Sequence, residues 1–122
     1  MFNVQDYILL VEDDIDINEA ITSILNEEHF HVVSTFNGVE AWEYLKSTKN
    51  LPTLILLDIM MPKMNGLEFR SMQLDQPRLA NIPTIILSAA GINEEIDNLH
   101  FDSNIKKPLE IETLLDEVKK YY

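Results

Sequence analysis

The chain has 122 residues, enough for one domain with its own core, which at this size buries roughly two-thirds of the surface the unfolded chain exposes. Nine Lys and Arg against 21 Asp and Glu give a formal charge of -12, which repels nucleic-acid backbones and anionic membranes, so neither is an expected partner. The absence of cysteine excludes disulfide scaffolds, thiolate metal sites and thiol nucleophiles.

There is no basic N-terminal start, and the longest apolar run, around Leu54, breaks at Asp58, short of the roughly 18 apolar residues a spanning helix needs. The chain therefore reads as a single soluble cytoplasmic domain over residues 1–122. Strand-like apolar runs alternate with helical periodicity along it, the pattern of an α/β domain on a mostly parallel sheet. Tyr7 to Val11 is the first strand and runs into Glu12-Asp13. Ile17, Ala20, Ile21, Ile24 and Leu25 then share one helical face, with Asp14 placed to cap that helix. His31 to Thr35 is a second strand, and Asn37-Gly38 turns into a helix carrying Val39, Trp42 and Leu45, with Trp42 assigned to the core. Pro52-Thr53 opens the most apolar strand, Leu54 to Leu57, which ends in Asp58; Pro62 and Gly66 bracket the loop after it. Leu67 to Leu74 reads as a third helix, and Pro83 opens a fourth strand, Thr84 to Leu87, that ends in Ser88. Ile92, Ile96 and Leu99 suggest a short helix. Ile105 and its neighbours form a fifth strand leading into Lys107, and Leu109 to Tyr122 closes the chain as a helix with Ile111, Leu114, Leu115 and Val118 on one face.

Glu12, Asp13, Asp58, Ser88 and Lys107 thus all stand where an apolar run gives out. Open α/β sheets bind ligands beyond the carboxyl ends of their strands, so these five would gather at one edge. Carboxylates, a hydroxyl and an ammonium together point to a metal-assisted phosphate site. Two acids brought side by side need a cation between them, and oxygen-only ligands favour Mg²⁺, with Mn²⁺ as the other choice.

Four segments in this order, Leu9-Leu10-Val11-Glu12-Asp13-Asp14, Leu57-Asp58-Ile59-Met60-Met61-Pro62 with Asn65-Gly66-Leu67-Glu68, Leu87-Ser88-Ala89 and Lys107-Pro108, resemble the receiver domain of bacterial response regulators, and the likeness covers essentially the whole chain. The resemblance implies a flavodoxin-like, doubly wound (βα)5 three-layer sandwich with a parallel five-stranded sheet of order 2-1-3-4-5. It implies a phospho-accepting domain of a two-component or phosphorelay system, supplied by a sensor histidine kinase or a histidine phosphotransferase, which switches conformation to signal to a partner. Asp13, Asp58 and the backbone carbonyl of Met60 would bind the metal directly and Glu12 through water. Asp58 would take the phosphoryl group, since a carboxylate beside a bound metal can attack phosphorus in line. The Ser88 hydroxyl would donate to a phosphoryl oxygen, and the Lys107 ammonium would neutralise it. The Lys107-Pro108 peptide is expected to be cis.

The chain also departs from the pattern. Three residues before its lysine the family carries Tyr or Phe; here Asn104 stands there, so Ser88 and Asn104 form an altered switch, with Phe101 or His100 as partial ring substitutes. The segment between Ser88 and Lys107 is also short and lacks the usual Gly-Ala before the fifth strand. Met60 and Ala90 cannot activate a water, which predicts slow self-dephosphorylation. Ile15, apolar but off the core face of its helix, and the loop at Pro108 are expected partner contacts. One alternative is a phosphatase of the haloacid dehalogenase type, which wants a second acid where Met60 stands. The other is a phosphorylation-independent interaction module on the same fold. A signalling domain that catalyses only its own phosphorylation and dephosphorylation fits the residues best.

Overall fold

Runs of Ile, Leu and Val with no polar alternation suit strands buried on both faces, and such runs form the centre of the molecule. In the computed structural model, described here for residues 6–61, 64–88 and 101–122, the strands are β1 (Ile8–Val11), β2 (Val32–Thr35), β3 (Leu54–Asp58), β4 (Thr84–Ser88) and β5 (Ser103–Lys106). All neighbouring pairs are parallel, in the order β2-β1-β3-β4-β5. The described helices are α1 (Ile15–Glu27), α2 (Gly38–Ser47), α3 (Gly66–Leu74) and α4 (Ile111–Tyr121). The expected helix at Ile92, Ile96 and Leu99 lies outside the described residues, as do Pro62, Ala89, Ala90 and His100.

Side chains alternate across the sheet and build two apolar layers. Ile8, Leu10, Leu54, Leu56, Ile85 and Leu87 face Ile21 and Leu25 of α1 and Leu114 and Val118 of α4. Leu9, Val11, Ile55 and Leu57 face Ala41 and Leu45 of α2 and Phe69 of α3. Helices on both faces make this the doubly wound sandwich expected.

Three helices start on a side chain that satisfies an otherwise unpaired backbone N–H. Asp14 accepts from Ile17 N at 3.1 Å, Asn37 from Glu40 N at 2.8 Å and Asn65 from Glu68 N at 2.9 Å. The start of α3 also presses on the end of β3: a Cβ on Gly66 would lie 2.7 Å from the Asp58 carbonyl oxygen, so only glycine lets the helix begin there.

Some expected core positions are at the surface. The buried residues of α1 are Asn18, Ile21 and Leu25, which leaves Ala20 exposed and Ile17 and Ile24 half-buried. Ile111 is 56% exposed because the buried stripe of α4 runs through Leu114 and Val118. Trp42 is half-buried at the rim of its layer, with its ring edge-on to Phe69 at 6.0 Å.

Candidate functional site at the carboxyl edge of the sheet

Strand register decides which terminating residues meet. Val11 pairs with Leu57, so Glu12 and Asp58 leave adjacent strands side by side, and Ser88 pairs with Lys106, one residue before Lys107. Carboxylate oxygens of Glu12, Asp13 and Asp58 all lie within 4.8 Å of one another, Glu12 and Asp58 being buried and Asp13 half-buried. Residues 46 positions apart are thereby made into one acidic cluster. Lys107, 95 positions from Glu12, closes it: Nζ donates to Glu12 Oε1 at 2.7 Å and stands 3.5 Å from Asp58 Oδ2.

The backbone holds these groups in place. Lys107 N donates to Ser88 O at 2.7 Å, and the Lys107-Pro108 peptide is cis, as expected. Met60 N donates to Asp58 Oδ1 at 3.1 Å, and Met60 itself is 73% exposed. Ser88 is buried and its hydroxyl donates to Asn104 Oδ1 at 3.0 Å. Ile15 is 62% exposed on the first turn of α1 and Pro108 is exposed on the loop after β5.

Electrostatics mark Asp58. Burial first, then the hydrogen bond and charge of Glu12, push its carboxyl up to about 8, against the pull of Lys107 and of the Met60 N–H. Burial works against the charge on Lys107, but its hydrogen bond to Glu12 and the charges of Asp58 and Glu12 outweigh it and hold the ammonium above its ordinary value. A cluster of hard oxygen donors that is crowded, buried and reluctant to ionise fully is suited to a small divalent cation.

Two supporting residues escaped the sequence reading. Asn18 is 2% exposed and its amide donates to Glu12 O at 3.0 Å and Thr35 O at 3.1 Å, tying α1 to the ends of β1 and β2. A polar residue in step with Ile21 and Leu25 was the available signal. Arg70 is 4% exposed on the inner face of α3, where Nη1 donates to Gln73 Oε1 at 3.1 Å and Thr84 Oγ1 at 3.0 Å. Its guanidinium lies 5.4 Å over the ring of Phe101, which packs on Ile59 and Ile86, so Phe101 belongs to this second network while Asn104 meets Ser88.

Comparison with known proteins agrees with this geometry. Residues 8–119 match the family described as the response regulator receiver domain. The chain is 35% identical over 117 residues to the transcriptional regulatory protein CpxR homolog of Haemophilus influenzae, covering 92% of this chain but 48% of that protein. It is 32% identical over 123 residues to sporulation initiation phosphotransferase F of Bacillus subtilis, covering 97% of this chain and 94% of that one. Thus it spans about half the length of some curated relatives and nearly all of another. Among solved structures, the signal receiver domain of a signal transduction histidine kinase from Syntrophus aciditrophicus superposes with a TM-score of 0.85 at 31% identity, over 95% of this chain and 88% of that one. Chemotaxis protein CheY4 of Vibrio cholerae shares the fold, with a TM-score of 0.86 at 24% identity over 96% and 98% of the two chains.

Proposed function

This chain belongs to the response regulator receiver family, and from that premise we propose that Asp58 accepts a phosphoryl group from a phosphohistidine and so switches the domain between two signalling states. One observation carries the assignment: Asp58 ends β3 within 4.8 Å of both Glu12 and Asp13 and 3.5 Å from a Lys107 ammonium whose hydrogen bond goes to Glu12, which leaves Asp58 as the carboxylate beside the lysine that does not take that hydrogen bond. A Asp58 oxygen attacks phosphorus, the P–N bond to the imidazole breaks, and the nitrogen leaves with the bonding pair and takes a proton. The carboxylate is then an acyl phosphate.

Asp13, Asp58 and the Met60 carbonyl, with Glu12 through water, would hold Mg²⁺ or Mn²⁺. When bound, the ion supplies positive charge against the phosphoryl oxygens. Lys107 would contribute a second positive charge and Ser88 a hydroxyl donor, so charge gathered on the phosphoryl group would meet fixed counter-charge. The chain has no acid or histidine at Met60 to activate water for turnover on outside substrates, which supports a signalling domain over a phosphatase.

The donor is a histidine-bearing helix bundle of a kinase or phosphotransferase. Supporting this, an apolar groove of about 250 Å³ lies between α1 and the Pro108 loop, lined by Ile17, Ile21, Ile24, Pro108, Leu109 and Ile111, and Ile15 is exposed on the first turn of the same helix. Among the described residues no helix is long and apolar enough to cross a membrane. Incubation with Mg²⁺ and acetyl phosphate followed by intact-mass measurement tests the proposal. One added phosphoryl group, absent with Asp58→Asn and with EDTA, is expected. Ile15→Ala should slow transfer from a phosphohistidine donor while leaving labelling by acetyl phosphate unchanged. No adduct on a protein that binds Mg²⁺ would favour a phosphorylation-independent interaction module.

A further inference from the structure

Ser88 has one hydroxyl proton to donate. It goes to Asn104 Oδ1 at 3.0 Å, a diagonal contact between the last residue of β4 and the second residue of β5. Asn104 precedes Lys107 by three residues, and Lys107 N is held to Ser88 O at 2.7 Å, so the two strands cannot separate locally to relax the contact. Ser88 is 3% exposed, so solvent has little access to replace one acceptor by another.

Building on the assignment of Asp58 as phosphoacceptor, we propose that Asn104 is a positioning residue that competes with the phosphoryl group for the Ser88 hydroxyl proton, and so acts as a latch on the unphosphorylated form. A hydroxyl gives its proton to one acceptor at a time. For Ser88 to donate to a phosphoryl oxygen on Asp58, the bond to Asn104 must break, and its free energy is subtracted from phosphoryl binding. By linkage the same bond favours the resting state. Movement of Ser88 frees the Asn104 amide on the outer edge strand, which is where a change at Asp58 would first reach the surface of β5. A carboxamide thus couples the site to that edge by a hydrogen bond it loses.

The test is the affinity for beryllofluoride, a stable stand-in for the phosphoryl group, measured with Mg²⁺ by calorimetry. The variants are Asn104→Ala, Ser88→Ala and the pair together. A neutral hydrogen bond of ordinary net strength corresponds to about a two- to tenfold change in an equilibrium constant. Asn104→Ala should therefore tighten beryllofluoride binding by about that factor when Ser88 is present and leave it unchanged when Ser88 is Ala. The near-isosteric Asn104→Asp, which can only accept, should weaken it. Unchanged or weaker binding in Asn104→Ala, or an equal change in both Ser88 backgrounds, overturns the latch. If wild-type protein takes up Mg²⁺ but no beryllofluoride, the assignment of Asp58 fails and the latch with it; wild-type binding with an inert Asn104 refutes the latch alone.

Discussion

Replacing Asp58 by Asn should stabilise the metal-free protein. The carboxamide keeps an oxygen for the Met60 N–H at 3.1 Å but removes a charge from a crowded cluster. With the three acids within 4.8 Å of one another, each of the two like-charge pairs made by ionised Asp58 costs about 3.5 kcal/mol at an effective dielectric near 20. Lys107 at 3.5 Å offsets about 5 kcal/mol of that repulsion on the same scale. About 2 kcal/mol remains against the ionised group, and burial, the largest cause of its rise to about 8, acts in the same direction. For a domain between the usual size classes this corresponds to a rise in Tm of about 6 to 12 °C for Asp58→Asn in EDTA at pH 8. Adding Mg²⁺ should narrow the difference: at a hundred times its Kd a cation stabilises the wild type by about 2.7 kcal/mol, while the variant, short of one ligand, gains less. Paired thermal melts by circular dichroism in EDTA and in Mg²⁺ provide the assay. A lower Tm for Asp58→Asn in EDTA, or an equal gain from Mg²⁺ in both proteins, would refute the reasoning.

The pH dependence follows from the same group. Its folded value, about 8, lies above the ordinary carboxylate range, so between about pH 4 and pH 8 the native state binds more protons than the unfolded one and stability from this group falls as pH rises. The Tm advantage of Asp58→Asn in EDTA should accordingly grow from pH 5 to pH 9; a constant or shrinking difference would contradict it. Asn18→Leu removes an amide donor from two buried carbonyls, Glu12 O and Thr35 O, of which Thr35 O keeps the Glu12 N–H at 3.1 Å, and should cost about 1 to 3 kcal/mol in urea denaturation, with the m-value unchanged. His29 holds φ 69° just past α1, a left-handed conformation that glycine adopts freely, so His29→Gly should raise stability by about 0.5 to 1 kcal/mol. The phosphoform should decay slowly because neither Met60 nor Ala90 can activate water, and loss of the added mass within seconds would count against this.

The chemistry was legible where strands ended. A parallel sheet buried on both faces demands unbroken apolar runs, so Glu12, Asp58 and Ser88 stand out as polar residues terminating Ile8–Val11, Leu54–Leu57 and Thr84–Leu87. The strand order that brings Glu12 beside Asp58 came from resemblance, and the register gives it atomic meaning. What could not be read were partnerships that depend on that register at side-chain length. Glu12 with Lys107 joins residues 95 positions apart, and Ser88 with Asn104 is a diagonal contact that no periodicity announces. Helix faces were blurred for a related reason. Apolar counting put Ala20 and Ile24 on the core face of α1 with Ile17, Ile21 and Leu25, whereas the buried stripe is Ile21 and Leu25 with the polar Asn18, and the inner face of α3 carries Arg70 and Gln73 in a satisfied hydrogen-bond network. Hydropathy cannot find a buried face whose polar groups are all paired.

The most direct test of Asp58 as the phosphoacceptor is to trap the acyl phosphate. Borohydride reduces an aspartyl phosphate to homoserine, so protein phosphorylated with acetyl phosphate and Mg²⁺, then reduced and mapped by peptide mass spectrometry, should carry homoserine at position 58 and nowhere else. Homoserine at Asp13 or another acid, or a phosphoryl group that survives borohydride as a serine ester at Ser88, would contradict it.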